Sequence, residues 1–280
     1  MGNLNVETNQ VEISSASSTQ SLDRAMVLLS IVAKHALIGI ALGDAAIQSR
    51  LSKPTAHRLL NGLRNAALID YCSRSRLFFP SFRLFQMGQA AGRRYDIVHQ
   101  ARPVLKQLAA ITHDTVYLTL RKGDNLLCVI REIGDFPIKI LTLEEGDERP
   151  IGLGSNGIAW LAAQDEVEFQ RLLIKNQDAL KQYPEFVAHK LKRYVAQARK
   201  NGFAFSRGFM MPEMSAMAMY VRDGQGQPRA TVSVAAITSR FDEKRLLFVR
   251  NELDRHVRTL ESMLFGDESR SQHSNFLMVY

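Results

Sequence analysis

The chain has 280 residues, with 36 basic and 28 acidic side chains and a formal net charge of +8. At about 100–200 residues per domain this length points to two domains, and 46% apolar with 23% charged residues excludes a wholly disordered, collagen-like or low-complexity chain. No run of about 18 apolar residues is present, so no membrane-spanning helix is expected.

Residues 1–20 are polar and Ser/Thr-rich without an apolar stretch, and residues 1–19 are expected to form a disordered tail rather than a secretion signal. Cys72 and Cys128 make neither a disulfide framework nor a zinc set, which fits a reducing cytoplasm. From Ser21 a helical pattern starts, with Leu22, Ala25, Met26, Leu29, Val32 and Ala33 on one face. A short helix over 42–49 follows. Ser52 then caps a third helix, with Pro54 in its first turn and Ala56, Leu59, Leu60, Leu63 and Ala67 inward. Two β-like runs, 68–72 and 77–80, flank the polar turn Ser73-Arg74-Ser75-Arg76. This order, over residues 20–80, is the layout of a winged helix-turn-helix.

The basic excess has an address. Residues 45–95 carry nine bases, among them Arg50, Lys53, Arg58, Arg64, Arg74 and Arg76, against the single acid Asp70. That local surplus equals the net charge of the whole chain. The third helix would turn Lys53, Thr55, His57, Arg58, Asn61 and Arg64 outward, where such side chains read base edges in a major groove. Arg74 and Arg76 would reach phosphates or the minor groove from the wing. A solvated basic face, or a small helical domain that binds protein, is the competing reading.

Residues 81–99 are again helical and basic, and read as a linker helix joining the two domains or as a helix packed within the first. Beyond it, residues 100–266 mix elements. A helix over 101–112 leads to strands 115–121 and 125–132, joined by a Lys122-Gly123-Asp124 turn, and to a further strand over 138–143. Helices follow near 157–163, 167–175 and 186–201. A second hairpin pairs 216–223 with 229–237, and a helix over 246–265 closes the domain, before a tail, 267–280. An antiparallel sheet with helices packed on it is the expected architecture.

Gly152-Leu-Gly-Ser-Asn-Gly157 has the spelling of a dinucleotide fingerprint, but the polar run before it, residues 144–150, is no buried strand. Free N–H groups where a helix starts near Gly157 would instead make a small anion site suited to a carboxylate, unless the glycines serve only the turn. Residues 210–219 hold five of the ten methionines, which suit either an adaptable pocket or plain core filling. Ser206, Ser215 and Ser233 would give such a pocket polar contacts. No metal-ligand spacing, nucleophile elbow or phosphate loop is present, so no cofactor, metal or catalytic set is expected.

The runs Ser21-Leu-Asp-Arg-Ala-Met-Val-Leu-Leu29 and Thr55-Ala-His-Arg-Leu-Leu60 resemble the start of an IclR-family transcriptional regulator. Gly146-Asp, the stretch from Arg149 to Ala159, Gly202-Phe-Ala and 216–237 resemble its second half, in the right order over about 20–266. The resemblance implies a two-domain α+β chain: an N-terminal winged helix-turn-helix, a linker helix and a C-terminal GAF-like α/β effector-binding domain. It also implies double-stranded DNA with a pseudo-palindromic operator as partner, a homodimer or homotetramer, and no enzyme activity. It places an effector site on the backbone N–H groups of Ser155 and Asn156, with Ser206, Ala216, Ser233 and Ala235 around it. Ala216 and Ala235 are apolar where some members are polar, and Met217 and Met219 lie alongside. This departure favours a bulkier acid, aromatic in one reading, as the small carboxylate effector. Arg50 stands where the family often has glycine, so the turn is expected to be strained or reshaped. The reading is a regulator, more readily a repressor than an activator; the alternative is a sensor or enzyme working without DNA.

Overall fold

In the computed structural model, apolar side chains gather into separate cores on either side of residue 95, and the chain divides there into two units. The structure describes residues 20–92, 97–183 and 188–266. The two expected tails, Arg93 and Arg94 of the expected linker helix, and the start of the expected 186–201 helix lie outside the described residues.

The first unit holds α1 (Gln20–Lys34), β1 (Ile40–Ala41), α2 (Leu42–Gln48), α3 (Lys53–Asn65), β2 (Ile69–Cys72), β3 (Leu77–Pro80) and α4 (Phe82–Gly92). Ala56, Leu59, Leu60 and Leu63 are buried on α3 as the periodicity predicts. Ser52 stands at the N-cap of α3 in extended conformation, but its hydroxyl makes no cap to the helix backbone and lies 2.8 Å from Thr55 Oγ1 instead. On α1 the inward face matches the expected one only in part, at Leu29, Val32 and the partly buried Ala25. Leu28, Leu29, Ile31 and Val32 are buried, whereas Leu22 and Met26 are 60% and 48% exposed. The run is apolar on more than one side, so periodicity alone does not choose the face.

Ala67 lies beyond α3, exposed at φ 57°, where the N–H of Leu68 donates to Leu63 O at 2.9 Å and ends the helix. Arg50 has φ 54°, so the left-handed turn is kept without its glycine, at a cost of about 1–2 kcal/mol. The wing gains a strand that the sequence reading lacked: β1 pairs antiparallel with β3, giving the order β1-β3-β2.

The second unit starts with α5 (Ile97–Thr112). A six-stranded antiparallel sheet follows, ordered β6-β5-β4-β9-β8-β7. Its strands are β4 (Thr115–Lys122), β5 (Asn125–Ile133), β6 (Glu148–Pro150), β7 (Ala204–Arg207), β8 (Met214–Arg222) and β9 (Pro228–Ile237). α6 (Gly154–Ala162), α7 (Glu166–Lys181), α8 (Ala188–Asn201) and α9 (Glu243–Phe265) complete it. Strand parity sorts the side chains between two faces. Val116, Leu118, Met217, Met219, Val232 and Val234 pack with α5 and α9. Tyr117, Cys128, Met214, Ala216 and Ala235 form a cluster on the other face.

The expected strand over 138–143 is absent: these residues form no ladder. β6 takes the edge of β5 instead. Ile140 and Leu143 still turn inward, and side chains satisfy the backbone groups that a ladder would have used. Tyr117 Oη donates to Ile140 O at 2.6 Å and accepts from Thr142 N at 3.3 Å, and Arg131 Nη1 donates to Leu143 O at 3.0 Å.

A candidate effector cavity and a basic helix

α6 opens without a side-chain cap: Leu153 stands at the N-cap in extended conformation, so the first-turn N–H groups are left for another acceptor. The helix starts at Gly154, earlier than the expected Gly157, which puts Ser155 and Asn156 in that first turn. The glycines are needed for geometry. Gly152 and Gly154 have φ 110° and 65°. A Cβ on Gly157 would lie 2.5 Å from Gly152 N, so the loop folds directly over the helix start.

This start opens on a cavity of about 40 Å³. Its floor comes from alternate residues of the sheet: Tyr117 and Thr119 of β4, Leu126 of β5, Met214 and Ala216 of β8, Ser233 and Ala235 of β9. Thr142, Leu143, Arg149, Met210 and the 153–156 segment close it. Asn156 Oδ1 is buried with no hydrogen-bond partner among the described residues. Thr119 Oγ1 lies 2.6 Å from Thr231 Oγ1, which ties β4 to β9 under the floor.

Burial governs the titrating groups. It pushes the Cys128 thiol up to about 12, with Glu145 and Asp147 adding to the effect, so this cysteine, buried in the cluster with Tyr117, is a neutral thiol rather than a nucleophile. Burial likewise raises Tyr117, which stays a neutral hydrogen-bonding phenol. Arg149 is drawn below the ordinary guanidinium value by burial but remains a cation. Its Nη1 contacts Met210 Sδ at 2.9 Å, and its Nη2 donates to Thr142 O.

Of the sequence-derived effector residues, Ser155, Asn156, Ala216, Ser233 and Ala235 line the cavity. Ser206 is buried opposite Ala216 in register but is not part of the lining. Met217 and Met219 do not line the cavity. Both pack against the α5–α9 side of the sheet: the odd positions of β8 point away from the cavity. The methionine-rich stretch contributes Met210 and Met214 instead. Tyr117 and Thr119 were missed, although polar residues at every second position of an apolar strand were the available signal. Arg149, inside an acidic run, gave none.

In the first unit, Lys53, His57, Arg58 and Arg64 are exposed on α3, with Thr55 and Asn61 half-buried between them. Asn61 Nδ2 lies 3.2 Å from His57 Nε2, and the Arg64 guanidinium sits 5.7 Å from the centre of the Tyr71 ring. Arg74 and Arg76 are exposed in the turn between β2 and β3, where Arg76 has φ 57°. The helix therefore presents one polar, basic face, with its apolar face turned into the core.

The family model described as bacterial transcriptional regulator IclR C-terminal matches residues 89–261. The HTH-type transcriptional regulator BhcR of Paracoccus denitrificans is 25% identical over 230 residues, 81% of each chain. The transcriptional repressor IclR of Escherichia coli is 23% identical over 229 residues, 81% of this chain and 83% of its own. The crystal structure of an IclR homolog from Microbacterium hydrocarbonoxydans, complexed with 4-hydroxybenzoate, superposes with a TM-score of 0.72 at 17% identity, covering 86% of this chain and 98% of that one. With a family model spanning more than half its length, and with a helix-turn-helix unit and a mixed helix-and-sheet unit in that order, the chain belongs to the IclR family of bacterial transcriptional regulators.

Proposed function

We propose that this regulator acts in the cytoplasm as a repressor whose hold on a pseudo-palindromic operator is set by a small organic acid in the cavity beneath α6. The observation that carries the reading is the uncapped first turn of α6 opening on a cavity in one unit, while α3 in the other unit turns Lys53, Arg58 and Arg64 to solvent. Lys53, Thr55, His57, Arg58, Asn61 and Arg64 enter the major groove, and Arg74 and Arg76 serve the wing. Ser155 and Asn156 receive the carboxylate on their N–H groups, above Ala216, Ser233 and Ala235.

A cavity of about 150 Å³ holds a benzene ring. At about 40 Å³ this one takes a short acid as it stands, and takes an aromatic acid such as the 4-hydroxybenzoate of the Microbacterium protein only if flexible walls such as Met210 move. Leu22, Met26, Phe82, Phe85 and Met87 leave apolar surface exposed on α1 and α4, which suits self-association into a homodimer or homotetramer.

The test is a gel shift with a duplex from the region upstream of the chain's own gene. Binding at low salt is expected, falling steeply as salt rises, and Arg58→Ala or Arg64→Ala should weaken it about tenfold or more. Absence of binding at low salt would end this reading.

A further inference from the structure

The acids next to Arg149 in the chain are already engaged. Glu145 accepts from Arg102 at 2.9 Å, Glu148 from Lys122 at 2.5 Å, and Asp147 from the backbone of Glu144 at 2.8 Å. Arg149, the one cation in the lining, makes no ion pair among the described residues, and no Asp or Glu lines the cavity with it. Its described partners are a carbonyl and a thioether, and neither carries charge. A guanidinium taken out of water without an anion is costly, so such a group calls for one. The first turn of α6 has the same polarity and faces the same space. Asn156 Oδ1, unpartnered in that turn, is an acceptor in want of a donor.

We propose that Arg149 is the charged anchor of the effector: with the first-turn amides of α6 it holds a carboxylate, while Asn156 Oδ1 accepts from a hydroxyl on the same ligand. The ligand class is a hydroxy acid. This rests on the acid-effector reading above, and goes beyond it in naming the residue that sets specificity and the second functional group.

The experiment measures binding by thermal shift and calorimetry, using glycolate and 4-hydroxybenzoate as probes. Acetate and benzoate serve as partners lacking the hydroxyl, and 4-hydroxybenzamide as a neutral control. At least one hydroxy acid should stabilise the wild-type protein more than its deoxy partner does, and the amide should not. Arg149→Met should weaken that acid at least tenfold, and Arg149→Lys, which keeps charge but loses the planar fork, by a smaller factor. Fluorescence of the sole tryptophan, Trp160 in α6, reports whether each variant keeps its fold, and Arg149→Lys carries the test if Arg149→Met does not. Equal acid binding by wild type and the folded Arg149 variant would overturn the anchor while leaving the acid-effector reading in place. Equal binding of the hydroxy and deoxy acids would overturn the hydroxyl contact. No shift with any acid on the wild-type protein would overturn both the inference and the reading beneath it.

Discussion

Glu168 sits between Arg171, at 2.6 Å, and Arg121, at 2.7 Å. Hydrogen bonds from Arg171 and then Arg121 hold its carboxyl at about 2, against an ordinary value of 4.5. Because the folded value is the lower one, the stabilisation is fully present above pH 4.5 and is lost as the pH falls towards 2. Glu168→Gln should therefore cost about 1 kcal/mol at pH 7, after allowance for solvent screening, and flatten the loss of stability between pH 4.5 and 2. Urea midpoints followed by Trp160 fluorescence would measure it; an unchanged acid limb would contradict it. At this scale sequence reading was uneven for physical reasons. Arg50 at positive φ was legible only through the resemblance, because the family often has glycine in that turn. Met217 and Met219 were misplaced because composition carries no strand parity. Arg149 was hidden because a base among acids reads as a solvated pair until its partners are seen to be engaged elsewhere.

At the scale of elements, the α6 start and the 138–143 segment shape the candidate cavity. α3 was legible because its apolar spacing has one buried face, and the sheet hairpins because turn residues such as Lys122-Gly123-Asp124 separate their apolar runs. The 138–143 run was not. Its alternation suits a strand, but the ladder position on β5 is filled by β6, and side chains from Tyr117 and Arg131 pair its backbone instead. Two glycines give opposed predictions. Gly157→Ala drives a Cβ into the Gly152 backbone and should destabilise the second unit by about 2–3 kcal/mol. Gly62→Ala, in the interior of α3 with open space around it, should stabilise the first unit by about 0.8–1 kcal/mol. Differential scanning calorimetry of both variants would measure each; equal effects of the same sign would contradict the cradle described for α6.

The whole molecule separates its two tasks by charge. The +8 of the chain is matched by the surplus within residues 45–95, of which α3, the wing and α4 carry Lys53, Arg58, Arg64, Arg74, Arg76 and Arg83. The second unit has no such surplus, so the acid proposed to bind it would be held by local donors, the α6 amides and Arg149. A ligand in one unit can change DNA binding by the other only by favouring one arrangement of the protein over another, and the coupling must be reciprocal. The most direct measurement is fluorescence anisotropy of a labelled upstream duplex, titrated with wild-type protein at several salt concentrations, with and without the acid that most raises the melting temperature. The predicted result is a steeply salt-dependent Kd that the acid changes by about fivefold or more, with the change abolished in Ala216→Leu, which fills the cavity floor. The same Kd with and without saturating acid would contradict it.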